Sequence, residues 1–399
     1  MTLEIPAKII EYFPDHKASV VKNMLLLAQG IYKAKSVNLE EVKNELPDLL
    51  ANKTTLPDSH YKRLTRFFLL PEKERIKLSQ KLLAASLKVL GAEKRHLVNS
   101  YLTLDGTKWK GPEGCYIHLL SLCIVVNGVS IPLWWEDLAK KGHSSQAERI
   151  AFFREALKHY ELKCKCLLAD REYIGREFLG FLSEEHLKLN IRLPKGVYRE
   201  EVDAALYRST NKQARDQHLR YSAMERKARL PKYANTGVSK EIKIDGKPYL
   251  FIIFRNQKWK VGDDPKEELI YLITTLNKKR KAIKAYRIRW SIECCFKHLK
   301  SKGFDLEAIN LRGDTKIMLM VALVSFMYTL CVVQGFLSLR KRKKSDRKKY
   351  KDGQVFLTVS YFKKGKAFLR TILHSFYDFV TFLNEVFDPK NIPKSLFVQ

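Results

Sequence analysis

The sequence predicts an α/β protein. A mixed sheet with flanking helices is interrupted by a β-rich insertion, with a helical N-terminal domain before it and a helical C-terminal region after it. Three observations carry this reading. Apolar residues recur at helical spacing up to about residue 90, then give way to strand-like runs from about residue 95. Asn127-Gly128 separates YIHLLSLCIVV from VSIPLWW, a strong signal for a two-residue hairpin. Beyond it, helical and strand patterns alternate. Lys plus Arg total 74 against 43 Asp plus Glu, a net charge of +31 over 399 residues. An excess of this size points to a polyanionic partner, because neutralised phosphates release counterions. A basic surface without such a partner and an anionic membrane surface are the other readings.

Residues 1–92 form the expected helical N-terminal domain. Ile9-Ile10, then Val20-Val21 with Met24-Leu25-Leu26, give 3.6-residue spacing, and Asn38 with Glu41 resembles a capping box. DSHYKRLTRFFLL, starting at Asp58 and closed by Pro71, reads as a short helix showing Lys62, Arg63 and Arg66 on one side. In a chain this basic, such a module suggests DNA binding through a helix; a plain bundle with exposed charges fits equally. Residues 93–196 carry HLVNSYLTLDG, expected to end as a strand near Asp105-Gly106, then the hairpin and a helix begun by Ser144 or Ser145. CKCLLAD follows as a short strand ending at Asp170, then the helix REFLGFLSEEH and the strand LKLNIRL. Three meandering strands, a helix, a strand, a helix and a strand match the order of a ribonuclease-H-like core.

Residues 197–275 interrupt that core. Their first part is polar and basic with little periodicity; EIKIDG, KPYLFIIFRN and ELIYLITTL then read as strands. Residues 276–339 complete the core, and 340–399 form a basic linker and helical C-terminal region. Ile317 to Leu339 is long and apolar enough to span a bilayer and is followed by Arg340-Lys341-Arg342-Lys343-Lys344. A buried core helix has the same appearance and is the favoured reading. The seven cysteines contain no C-x-x-C pair, which suggests neither a zinc site nor a disulfide framework, and MTLEIPAKIIEYF lacks a secretory apolar core. Both features fit a cytoplasmic protein.

Tyr286 to Lys300 contains no Gly or Pro and is expected to form one continuous helix. On a helical wheel Ile288, Ile292, Cys295 and Leu299 take one face; Tyr286, Arg289, Glu293, Lys297 and Lys300 take the other. A solvated basic face with one Glu in i,i+4 pairs has the same pattern. Two more carboxylates matter by position. Asp105 ends the first core strand and Asp170 the fourth, and those strands are neighbours in a ribonuclease-H-like sheet. Glu293 can then reach both from a packed helix. Three clustered carboxylates repel unless a hard divalent cation joins them, although each acid alone also reads as a turn or helix cap.

Tyr286-x(2)-Arg289-x(3)-Glu293-x(6)-Lys300 resembles the Tyr-Arg-Glu-Lys signature of the insertion-sequence-four family of DDE transposases. LDGTKWK around Asp105 and LLADREYIGREF around Asp170 resemble that family's two aspartate motifs, in the right order. The resemblance covers roughly residues 95 to 335; Gly106 departs from it, standing where many relatives carry a polar residue. It implies cut-and-paste transposition of double-stranded DNA. Asp105, Asp170 and Glu293 would be catalytic and hold two Mg²⁺ (or Mn²⁺) ions. Cleavage at terminal inverted repeats would pass through a hairpin before strand transfer to target DNA. Tyr286, Arg289 and Lys300 are implied to hold phosphates, with Lys297 beside them and Lys108 just past Asp105. Tyr271, in YLITT, is the first candidate to stack on a flipped base and Trp259 the second. A homodimer in the DNA complex, a prokaryotic nucleoid-associated location and no membrane association follow from the same likeness. A metal-dependent nuclease without strand transfer and a non-catalytic DNA-binding derivative are the alternatives.

Overall fold

The computed structural model describes residues 4–92, 98–160, 163–208, 217–339, 347–349, 355–388, 390–391 and 396. One eight-stranded mixed sheet runs in the order β3-β2-β1-β4-β5-β8-β7-β6. Its strands are β1 Tyr101–Lys110, β2 Tyr116–Val126, β3 Val129–Asp137, β4 Cys166–Ala169 and β5 Leu189–Leu193, then β6 Val238–Ile244, β7 Lys247–Arg255 and β8 Leu269–Thr274. The first five have the expected ribonuclease-H-like arrangement: an antiparallel meander, then β4 and β5 added in parallel. Asn127 and Gly128 both have positive φ (49° and 77°), as a tight hairpin turn between right-twisted strands requires. The strands of the insertion extend this same sheet, because β8 pairs antiparallel with β5 and β7 with β8.

The helices to which the sequence points are α1 Ala18–Ala34, α2 Pro57–Phe68, α3 Glu72–Val89, α4 Gln146–His159 and α5 Arg176–Glu184. Ser145 starts α4 with a reciprocal capping box to Glu148. On α2, Leu64, Phe67 and Phe68 are buried while Lys62, Arg63 and Arg66 face solvent. Two helices were not expected: α6 Arg199–Arg208 and α7 Gln217–Arg229 form within the polar start of the insertion. Their weak periodicity reflects few buried positions, among them Val202, Tyr221 and Met224.

Two boundaries differ from expectation in ways that matter for the site. β1 does not end at Asp105-Gly106. It continues to Lys110 because β2 pairs with it as far as Lys110 opposite Tyr116, whereas the parallel ladder to β4 stops at Leu104 opposite Ala169. The expected continuous helix from Tyr286 to Lys300 is two helices, α8 Lys279–Ile288 and α9 Trp290–Leu299. At the junction Arg289 donates its N–H to Tyr286 O (3.0 Å) and Ile292 donates to Arg289 O (3.1 Å), the tighter i→i+3 pattern. The expected two faces also shift: Tyr286 and Arg289 are buried, each 7% exposed, while Lys297 is exposed.

α10 Asp314–Ser338 is the apolar stretch that also met the length rule for a bilayer span. Its most apolar window is 89% buried within the protein. It packs against α1, α3 and α9, β3, and α11 Tyr361–Ile372; α12 Phe376–Val386 closes the C-terminal region. At the α10–α11 crossing a Cβ on Gly365 would collide with the Cys331 carbonyl, and one on Gly335 with the Tyr361 carbonyl. The basic run 340–346 lies outside the described residues, as does the boundary at residues 92 and 93 on its C-terminal side.

Candidate active site

The register of β1 and β4 sets the site. Leu104 and Ala169 form the last pair of the parallel ladder, so Asp105 and Asp170 are the next residues on two adjacent strands. Both lie at the C-terminal edge of the parallel strands, where α/β sheets place their ligands. Each carboxylate is braced by the following backbone: Gly106 N–H donates to Asp105 Oδ1 at 2.9 Å, and Arg171 N–H to Asp170 Oδ1 at 2.8 Å. Gly106, the departure from the family pattern, has a local reason. A Cβ there would stand 2.9 Å from His118 Nε2 and 3.2 Å from the Tyr173 hydroxyl.

The break before α9 supplies the third carboxylate and a shared cation. Glu293 falls in the first turn of α9, where the positive end of the helix dipole favours an acid. Arg289, at the junction, turns its guanidinium inward. Nη1 is 3.3 Å from Asp105 Oδ2; Nη2 is 3.6 Å from Asp170 Oδ2 and 2.5 Å from Glu293 Oε1. Three carboxylates from β1, the end of β4 and α9 therefore converge on one cationic group. Burial pushes the Asp105 carboxyl up to about 7, against the opposing pull of Arg289 and the Gly106 N–H. Arg289 is held well above its ordinary value: its burial opposes this, but Asp170, Tyr286, Asp105 and Glu293 together outweigh it.

Tyr286, expected at the site, and Tyr173, Arg192 and Glu267, which were not, complete the surroundings. The Tyr173 hydroxyl donates to Asp105 Oδ1 and the Tyr286 hydroxyl to Asp170 Oδ1, each at 3.5 Å. Arg192 on β5 reaches to 3.9 Å of Asp170 Oδ1 and is paired with Glu267, which also accepts from Arg171 at 3.0 Å. In the sequence Arg192 was one polar residue in a strand, and nothing local linked it to Glu267.

The remaining site candidates divide. Lys300 reaches β1: its Nζ donates to Thr107 Oγ1 (3.3 Å) and the Lys108 carbonyl (3.2 Å), pairs with Glu307 (2.6 Å) and lies over the Trp109 ring. Lys108 is half-buried on β1. Lys297 is exposed, and no described contact ties it to the carboxylates. Tyr271 lies apart from the carboxylates: its ring is buried on β8 against Tyr221, and its hydroxyl donates to Glu225 at 2.6 Å. Trp259 is half-buried, its indole N–H held by the Asp264 carbonyl. The exposed aromatic nearest the carboxylates on the chain is Trp290, 52% exposed, between Arg289 and Glu293, with Lys258 Nζ 4.5 Å from its ring centroid. Its signal in the sequence was its place one residue after Arg289.

The donor set fits a hard divalent cation. Three carboxylates aimed at one positive group are the ligands Mg²⁺ or Mn²⁺ prefers. Arg289 stands in for such a cation. Among the described residues no three His, Cys, Asp or Glu side chains lie at metal-binding separation; Asp105, Asp170 and Glu293 each face the Arg289 guanidinium instead. A metal ion there requires Arg289 to yield at least one carboxylate.

Comparison with known proteins identifies the family. No curated protein matches the chain. Among solved structures it is similar to the piggyBac transposase in a cryo-EM synaptic complex with hairpin DNA, at 11% identity and a TM-score of 0.41, over 96% of this chain and 78% of that one. The transposase DDE domain family matches residues 97–330. That span runs from just before β1 into α10 and takes in all three carboxylates, more than half of the sequence, and the chain therefore belongs to the transposase DDE domain family.

Proposed function

We propose that this protein is the transposase of a prokaryotic insertion sequence, acting on chromosomal DNA in the cytoplasm. It cuts double-stranded DNA at the element's terminal inverted repeats and joins the freed ends to target DNA. The observation that carries the reading is the convergence of Asp105, Asp170 and Glu293 on one cationic group at the edge of β1 and β4. These three residues are the ones to hold Mg²⁺ or Mn²⁺, as two ions. When bound, the metal supplies activation of the attacking oxygen and charge stabilisation at the leaving one.

The protein's own groups do the positioning. Arg289, once it yields the carboxylates, is the guanidinium able to grip a phosphate through two parallel N–H bonds. The Tyr286 hydroxyl orients Asp170, and Lys300 places a point charge beside Thr107 on the same strand as Asp105. Lys297, Lys108 and the loop carrying Trp259 extend the basic surface along the DNA. The exposed Lys62, Arg63 and Arg66 of α2 present a second basic face, consistent with end binding by residues 1–92. Water attack on one strand frees a 3′-hydroxyl; that hydroxyl attacks the opposite strand and leaves a hairpin on the element's end. Water then reopens the hairpin before the end is joined to target DNA. Holding two ends together calls for two copies of the chain.

The test is incubation of purified protein with inverted-repeat DNA and Mg²⁺. Sealed hairpins and strand-transfer products are expected; nicks alone would reduce the protein to a nuclease. Glu293→Gln should abolish cleavage yet bind the ends with nearly wild-type affinity, and undiminished cleavage would remove Glu293 from the site.

A further inference from the structure

A second cationic feature lies beyond the C-terminal end of α9. A cavity of about 560 Å³ opens between the end of α1, the turn after α9 and the exposed side of α11. It is lined by Lys33, Lys35, Lys302, Lys363, Lys366 and Arg370, and no carboxylate lines it. Among the described residues, none of these six cations has an ion-pair partner. Two are instead fixed by carbonyls: Lys33 Nζ donates to His374 O at 3.1 Å and Lys366 Nζ to Gly303 O at 2.7 Å. Lys366 is half-buried over the rings of Phe304 and Phe362. Holding like charges together around a concave surface costs energy that only an incoming anion recovers.

The cavity is tied to the catalytic helix. Phe362, in its lining, packs on His298 of α9 with ring centroids 4.4 Å apart. From Glu293 to the end of α9 at Leu299 the helix rises about 9 Å, and Lys302 lies in the turn just beyond. That rise is about three base pairs of duplex at roughly 3.4 Å each. We propose that this cleft grips backbone phosphates of the DNA whose cleavage site lies at Asp105, Asp170 and Glu293. This assignment rests on the function proposed above.

The full-length chain with Lys302→Gln, Lys363→Gln and Arg370→Gln tests it, since all three side chains are exposed and their removal leaves the core intact. Binding to a fluorescent mixed-sequence duplex is followed by anisotropy over a salt series. Each lost phosphate contact should flatten the slope of log K against log salt by about 0.9, so the triple variant loses roughly two to three. Replacing the same residues by Lys302→Arg and Lys363→Arg, with Arg370 retained, should keep the wild-type slope. The control removes equal charge with Lys163→Gln, Lys165→Gln and Lys188→Gln. These exposed residues precede β4 and β5, at the end of the sheet opposite the carboxylates, and the slope should change by less than one. Equal slopes for the wild type and the cleft variant overturn the assignment. So does displacement of inorganic tripolyphosphate alone by the cleft substitutions, which would give the site to a free polyphosphate. A wild-type chain that binds no duplex at any salt would instead remove the proposed function, and the cleft assignment with it.

Discussion

Replacing Arg289 by Ala takes away the guanidinium that Asp105, Asp170 and Glu293 share. The Arg289 side chain is only 9% exposed, and the three carboxylate side chains are 15%, 26% and 33% exposed. Breaking a buried ion pair from one side typically costs 3–5 kcal/mol. The partial exposure of Asp170 and Glu293 lets water screen part of the repulsion left behind, which brings the expected loss to about 2–3 kcal/mol. In EDTA the melting temperature of Arg289→Ala should therefore fall by several degrees. Under the proposed function Mg²⁺ would bind the folded site and not the unfolded chain, and so should stabilise by mass action. It should do so more strongly in the variant, where no guanidinium has to be displaced. The assay is a pair of thermal melts, with EDTA and with saturating Mg²⁺, on wild type and variant. An unchanged melting temperature in EDTA, or an Mg²⁺-induced rise no larger than in wild type, would refute the view that Arg289 occupies the cation position.

Three further outcomes follow from the packing. Gly365→Ala should destabilise the protein by about 1–3 kcal/mol or more, because the added methyl meets the Cys331 carbonyl of α10 and forces the helices apart; denaturant unfolding reads this directly, and a neutral effect would mean the crossing has slack. Tyr271→Phe should cost roughly 1–2 kcal/mol through the lost hydrogen bond to Glu225, which keeps Lys195 at 3.5 Å, with unchanged DNA affinity by anisotropy; a selective loss of DNA binding would make Tyr271 a contact. Burial pushes both His118 and His298 down to about 4, so the unfolded chain takes up protons near 6.5 that the folded chain refuses. The contribution of these two histidines should be complete above pH 6.5 and decline as the pH falls toward about 4, offset in part by Asp105, whose raised carboxyl takes up a proton in the folded chain over the same window. Melts across that window should show the decline, shallower in His298→Gln, and a loss confined to below pH 4 would assign it to carboxylates instead.

Much of the site could be read locally. Asp170 closes a short apolar run, Asn127-Gly128 marks its hairpin, and Ser145 with Glu148 starts a helix; each signal needs only neighbours a few residues away. Tyr271 could not be placed this way. Its strand pattern is the same whether the ring faces a base or a core, and only α7 folding over β8 buries it against Tyr221 and Glu225. Arg192 and Glu267 were invisible for a similar reason, being 75 residues apart in the chain and joined only by the sheet.

The stretch from Tyr286 to Lys300 shows the division most clearly. Sequence alone determined that it is helical, that Glu293 lies on it, and that Arg289 and Glu293, four residues apart, share a face. Tertiary structure decided that the helix breaks at Arg289 and that Tyr286 and Arg289 are buried while Lys297 stays exposed. It also decided that the cation facing Asp105 and Asp170 comes from the chain itself. The physical reason is that periodicity records which residues share a face, whereas the partner of that face is set by strands paired more than a hundred residues away.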